Sequence, residues 1–138
     1  MTSPRRTATA RPTGARGAAT KPGREYEAEC PDAGDFVYLD LDPKKGHEQA
    51  GRRPALVLSP RAYNERVGLC LACPITGQAK RYPFETPIPP GNVVFGVVLA
   101  DQPRSLSWPE RRSKVIGRAP RSVLDDVREK IATLIEIE

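Results

Sequence analysis

Glu48–Pro60 reads EQAGRRPALVLSP. A polar segment with a flexible glycine, Gly51, and two adjacent arginines, Arg52 and Arg53, runs through Pro54 into a short β-branched apolar run. The pattern predicts a mobile basic loop that delivers positive charge to the start of a buried strand. Such an arrangement suits phosphate recognition.

Upstream of it, Phe36–Leu41 alternates apolar and aromatic groups and predicts a first strand, entered through Gly34 and Asp35 and left through Asp42 and Pro43. Lys44–Arg53 is then a loop with Gly46 and Gly51 as flexible points. Downstream, Ala55–Ser59 predicts a second strand, Pro60–Arg66 a turn or short helix, and Val67–Ile75 a third strand. Gly77–Tyr82 is polar and basic. Pro83–Ile88 predicts an edge strand, where proline is tolerated, and Pro89–Asn92 a turn.

Val93–Ala100 is apolar almost throughout, which predicts a strand buried on both faces, with Gly96 leaving room for a bend or a close neighbour. Asp101–Arg112 is expected as a loop around the single tryptophan, Trp108, and Lys114–Arg118 as a last short strand. The chain then turns helical. Ser122 is expected to cap this helix with Asp125 three residues on, and Val123, Leu124, Val127, Ile131, Leu134 and Ile135 fall on one face. Many short strands followed by one packing helix predict a mainly β protein with a C-terminal helix, a small, strongly bent barrel.

The formal charge of +5 over 138 residues is not spread evenly. Residues 1–24 hold six basic side chains and no acidic one, which leaves 16 basic against 17 acidic in the rest. A polyanion site in the body must therefore come from local charge separation. Two stretches supply it: 44–66 has six basic residues against Glu48 and Glu65, and 104–118 has five against Glu110. Residues 1–29 lack the large apolar groups that would offset the entropy of ordering and read as a disordered basic tail. Their prolines and glycines argue against the amphipathic helix of an organelle transit peptide. Residues 30–138 form the expected domain.

The three cysteines, Cys30, Cys70 and Cys73, are too few and too odd for a disulfide framework and fit a reducing compartment, the cytoplasm. No apolar run approaches the roughly 18 residues of a membrane span. The Cys70-x-x-Cys73 spacing invites a metal or redox reading. In a strand, however, an odd offset sends the two thiols to opposite faces, and buried free thiols are the expectation.

The strings GDFVYLDLDPKKG, EQAGRRPALVLSP, PITGQAKRYPFE and VVLADQPRSLSW, in this order, resemble the MazF/PemK family of toxin endoribonucleases from Gly34 onward. The resemblance implies an SH3-like barrel of the PemK/CcdB kind, a homodimer that cuts single-stranded RNA without metal or cofactor and is held in check by a cognate MazE-like antitoxin. It places the family's catalytic arginine on Arg53 and its catalytic threonine on Thr76. Where the family often has a second hydroxyl residue, this chain has Gly77. The expected RNA contacts are Lys44, Lys45, His47, Gln49 and Arg52 in the first loop, Gln78, Lys80 and Arg81 after Thr76, and Arg104. Arg111 and Arg112 are expected to line the groove or hold the antitoxin.

These residues suit RNA cleavage by internal attack of a 2′-hydroxyl. A guanidinium can donate two parallel hydrogen bonds to phosphate, and a threonine hydroxyl adds a neutral donor. Arginine stays protonated to above about pH 12, so Glu48 or His47 is a better proton acceptor. Arg53 has a structural alternative, an ion pair with Asp40 or Asp42, and Thr76 another, as a turn hydroxyl. Tyr82, Phe84 and Trp108 could stack on bases, although core or dimer contacts are the expectation for Phe84 and Trp108. Two other functions stay open on the residues alone. One is gyrase binding of the CcdB kind, against which the ending LIEIE, without a tryptophan, is the discriminating feature; the other is a catalytically quiet RNA-binding module.

Overall fold

The computed structural model describes residues 27–41 and 52–137. Lys44, Lys45, His47, Glu48 and Gln49, and most of the expected N-terminal tail, lie outside the described residues. The elements run β1 (Asp35–Asp40), β2 (Arg52–Val57), α1 (Arg61–Val67), β3 (Cys70–Thr76), β4 (Glu85–Ile88), β5 (Gly96–Leu99), β6 (Arg104–Leu106), β7 (Lys114–Arg118) and α2 (Arg121–Leu134). The seven strands form one antiparallel sheet in the order β4-β5-β3-β2-β1-β7, with β6 also on β3. The pairing path is open rather than closed, and β4 is an edge strand as the prolines predict.

The central strands bury both faces, which is why they carry so few polar side chains. On one face Phe36, Leu56, Cys73, Ile75 and Val98 pack against Val123, Leu124 and Val127 of α2. On the other, Val37, Leu39, Ala55, Val57, Cys70, Ala72 and Leu106 close a second core with Trp108 and Val115 at its margin. Burying each large aliphatic or aromatic side chain contributes about 1.5–3 kcal/mol, so two cores let a domain of this size offset its chain entropy. Cys70 and Cys73 sit in different cores, as the pleat requires. Burial pushes their thiols up to about 11 and about 12, far from the thiolate form that a metal or disulfide exchange needs.

Several expectations change. β2 begins at Arg52 rather than Ala55, because Asp40 and Leu39 of β1 pair with Arg52 and Arg53 and extend the ladder. The run 93–100 is not buried on both faces. Gly96 turns the backbone with φ +118, so only Gly96–Leu99 is strand, while Val93 and Phe95 are exposed. Residues 104–106 are strand rather than loop, since β6 finds an open edge of β3 at Cys70–Ala72. At α2 the chain enters through Pro120 at the N-cap, still extended with φ −56 and ψ 144, and with no side-chain cap. Ser122 lies inside the first turn, and Asp125 pairs with Arg121 instead. The far end of that helix runs past the sheet, leaving Leu134 and Ile135 exposed.

At the other end of the domain Glu29 is already fixed. Its backbone N–H donates to the Ser113 carbonyl, its own carbonyl accepts the Ser113 hydroxyl, and its carboxylate meets Lys114.

Candidate functional site

The register of the central ladder assembles the site. β2 pairs with β3 as Ala55 opposite Pro74, Leu56 opposite Cys73 and Val57 opposite Ala72. Carried two residues toward the sheet's rim, the same register sets Arg53 opposite Thr76. Both lie on the face that farther along holds Ala55, Val57, Cys70 and Ala72, because side chains two apart share a face. Past the end of that core the face opens to solvent: Arg53 is exposed and Thr76 half-buried. Residues 23 positions apart in sequence are thus carried by adjacent strands toward the same rim.

Thr76 is held from two sides. Its hydroxyl oxygen accepts the Gln78 amide at 3.2 Å, so it does act as a turn hydroxyl, yet its own O–H remains a donor. Behind it β5 comes very close: Thr76 pairs with Val97, and a Cβ on Gly96 would overlap the Thr76 carbonyl oxygen. Only glycine fits there, on steric grounds and because φ is positive.

Beside Thr76 opens a cleft of about 460 Å³. Gln78, Lys80 and Arg81 line it together with Tyr82, Asp101 and Gln102. Asp101 and Gln102 reach it because β5 and β6 follow one edge of β3 in broken register: Thr76 pairs with Val97 but Ala72 with Arg104. The residues between the two strands are looped out. Sequence reading missed Glu85, the buried group that shapes the other wall. Its two carboxylate oxygens accept the Lys80 amide at 3.0 and 3.1 Å, and one accepts the Tyr82 amide at 3.4 Å. A hydrogen bond to Asp101, and that carboxylate's charge, push the Tyr82 hydroxyl above its usual range. A glutamate inside an otherwise apolar strand, PFETPI, is the signal that could have revealed this wall.

Arg52, one residue from Arg53 and on the opposite pleat, has a different task. Its guanidinium donates to Asp40 at 3.0 Å and to the carbonyls of Arg112 at 2.6 Å and Arg111 at 3.4 Å. Arg111 in turn donates to the carbonyls of Asp40 and Leu41, and Arg112 to the Asp40 carboxylate. Burial alone would raise the Asp40 carboxyl, but the hydrogen bonds from Arg112 and Arg52 and their charges together outweigh it and hold it low. Of the two carboxylates weighed for Arg53, Asp40 is held by its neighbour Arg52, and Asp42 lies outside the described residues. Arg52, Arg111 and Arg112 thus tie Asp40 and Leu41 at the end of β1 to the start of β2. Arg104 is exposed on β6, opposite Ala72, and so about 13 Å along β3 from Thr76 at 3.3 Å per residue.

Of the aromatics, Trp108 packs on the second core and donates to the Asn64 carbonyl at 2.9 Å. Phe84 is half-buried with its ring tilted against Tyr82, centroids 5.9 Å apart.

The chain matches, over residues 32–135, the family described as PemK-like, MazF-like toxin of type II toxin–antitoxin system. It is 47% identical over 105 residues to the endoribonuclease toxin MazF of Escherichia coli K12, covering 76% of this chain and 94% of that protein. It is 40% identical over 109 residues to the endoribonuclease toxin ChpB of the same strain, covering 75% and 92%. Among solved structures, MazF in a MazE–MazF crystal from Deinococcus radiodurans superposes with a TM-score of 0.72 at 48% identity, covering 80% of this chain and 99% of that one. With a family match over most of its length and relatives of this identity, the chain belongs to the PemK/MazF family of type II toxin–antitoxin toxins.

Proposed function

We propose that this protein is an endoribonuclease toxin that cuts single-stranded RNA between Arg53 and Thr76. The observation that supports the assignment is the β2–β3 pairing of Ala55 with Pro74, whose register, continued two residues to the open rim, runs from Arg53 to Thr76. The 2′-oxygen of one nucleotide attacks the adjacent phosphorus and the bond to the 5′-oxygen breaks, leaving a 2′,3′-cyclic phosphate and a 5′-hydroxyl. Negative charge grows on the nonbridging oxygens. Arg53 donates to them through its planar fork and Thr76 adds a neutral donor. Losing one such donor typically costs about 3 kcal/mol of transition-state stabilisation.

The nucleophile sits within the substrate, so neither a metal nor a hydrolytic water has to be activated. Glu48, in the segment between Leu41 and Arg52, is our candidate for taking the 2′-hydroxyl proton, with His47 as the other titratable group of that segment. Gln78, Lys80 and Arg81 line the path of the substrate beside Thr76, and Arg104 extends it along β3. Arg52 acts at one remove, by fixing the start of β2.

The protein works as a homodimer in a bacterial cytoplasm, inhibited by an antitoxin whose acidic segment orders along the basic groove. Relatives solved as MazE–MazF complexes support this partner. Binding to gyrase draws no support from the relatives, which are named for RNA cleavage. The test is incubation of the purified protein with a long RNA in excess EDTA, followed by mapping of the ends. Discrete cuts bearing 5′-hydroxyl and cyclic-phosphate termini are expected. Intact RNA sinks the proposal, and cuts bearing 5′-phosphate sink the mechanism.

A further inference from the structure

The most exposed large apolar side chain among the described residues is Phe95, at 78%, and it stands next to the proposed site. Its ring lies alongside Gly77, the residue after Thr76: a Cβ there would be 3.4 and 3.5 Å from two of its carbons. Its backbone is tied down by the next residue, Gly96, whose tight approach to the Thr76 carbonyl and positive φ leave β5 little freedom to slide. A water-exposed aromatic ring, held at a fixed place beside Thr76, is costly unless something covers it.

What covers it follows from the surroundings. The core of a protein–protein interface is depleted in charge and rich in apolar groups. Here the residues following Gly77 are Gln78, Ala79 and Lys80, all exposed. A π-face over Gly77, in a stretch of chain that carries a hydroxyl at Thr76, an amide at Gln78 and an ammonium at Lys80, matches the pattern of single-stranded nucleic-acid sites, where aromatic rings carry bases and cations follow the backbone. At position 77 a Cβ would meet the ring at ordinary van der Waals distance, so the ring packs directly over this stretch of backbone.

Resting on the cleavage function proposed above, we infer that Phe95 is a stacking platform for a nucleobase next to the scissile phosphate. It orders the substrate over Thr76. Because every base has a π-face, this contact adds affinity with little sequence preference.

The test uses the full-length protein and an oligoribonucleotide spanning a mapped cut site, blocked by a single 2′-O-methyl group and carrying 2-aminopurine in place of each flanking base in turn. Wild type should quench one of these positions by stacking. Phe95→Leu, which keeps apolar bulk without a π-face, should abolish that quenching and weaken binding roughly five- to 150-fold, whereas Phe95→Trp should retain both. Sedimentation at the assay concentration should show the same assembly for all three. The inference is overturned if Phe95→Leu binds and quenches like wild type, if Phe95→Trp is as weak as Phe95→Leu, or if the loss tracks subunit dissociation, in which case the ring is an inter-subunit contact. RNA that wild type leaves uncut fails the cleavage function itself; RNA cut equally by all variants fails only the platform.

Discussion

Arg52 and Arg53 differ in sequence by nothing but order, yet the pleat gives them opposite fates. Arg52 is turned to Asp40 and the carbonyls of Arg111 and Arg112, while the register of β2 on β3, continued to the rim, runs from Arg53 to Thr76. Arg53→Lys keeps the charge but loses the planar fork, and is expected to retain RNA affinity better than turnover. Arg53→Ala and Thr76→Ala should each lower kcat by about two to three orders of magnitude, with Thr76→Ser keeping much of the rate. Single-turnover cleavage of a defined RNA checks this series; unchanged rates in folded Arg53→Ala protein would remove it from the site. Gly96 is the residue whose importance is purely geometric. Gly96→Ala should displace the Thr76 carbonyl, lowering both thermal stability and cleavage, and a variant with wild-type melting temperature and rate would show that β5 can yield there.

Among the elements, the brace around Asp40 joins the ends of β1 and β2 to the 107–113 turn. Asp40 has its folded pKa depressed below its ordinary 3.8 by Arg112 and Arg52. Its contribution to stability is therefore complete above the unfolded value and is lost as pH falls through the lower folded one. An acid titration of stability should show this loss in wild type and a shallower acid limb in Asp40→Asn, whose neutral amide keeps the shape of the brace without titrating. Identical limbs would mean that solvent already screens these pairs. The α2 helix carries a second brace of the same sign. Lys130 donates to Asp126 at 2.6 Å and Thr86 donates to the same carboxylate at 2.8 Å, and Lys130, followed by Thr86, holds Asp126 below its usual pKa. These bonds pin α2 to β4, the strand that begins with Glu85.

On the scale of the whole molecule, two cores share one sheet, and α1 is tied to the segments before β1 and after β2 through a buried polar residue. Asn64 donates to the carbonyls of Pro31 at 2.8 Å and Ser59 at 3.0 Å, and its side-chain oxygen accepts the Ser59 hydroxyl at 2.7 Å. Asn64→Leu leaves those carbonyls and that hydroxyl without their partner, and should cost about 1–3 kcal/mol. Leu56→Ala, in the core under α2, should cost about 2–5 kcal/mol through cavity formation. Denaturant unfolding measures both; Asn64→Leu as stable as wild type would show that this network adds specificity without stability.

The succession of short apolar runs between proline and glycine turns, ending in an amphipathic helix, already determined a mainly β domain with a C-terminal helix. The order of motifs carried the resemblance to the family, and that resemblance, rather than the residues alone, pointed to Arg53 and Thr76. Local patterning suffices there because alternation and turn chemistry act over a few residues. The tertiary structure alone decided that β2 starts at Arg52, that residues 104–106 form a strand, that Glu85 holds a wall of the cleft, and that Phe95 stands exposed against Gly77. Each of these depends on a partner strand far away in the chain. Whether a backbone segment is extended, or a side chain covered, is settled by which edge it meets rather than by its own composition.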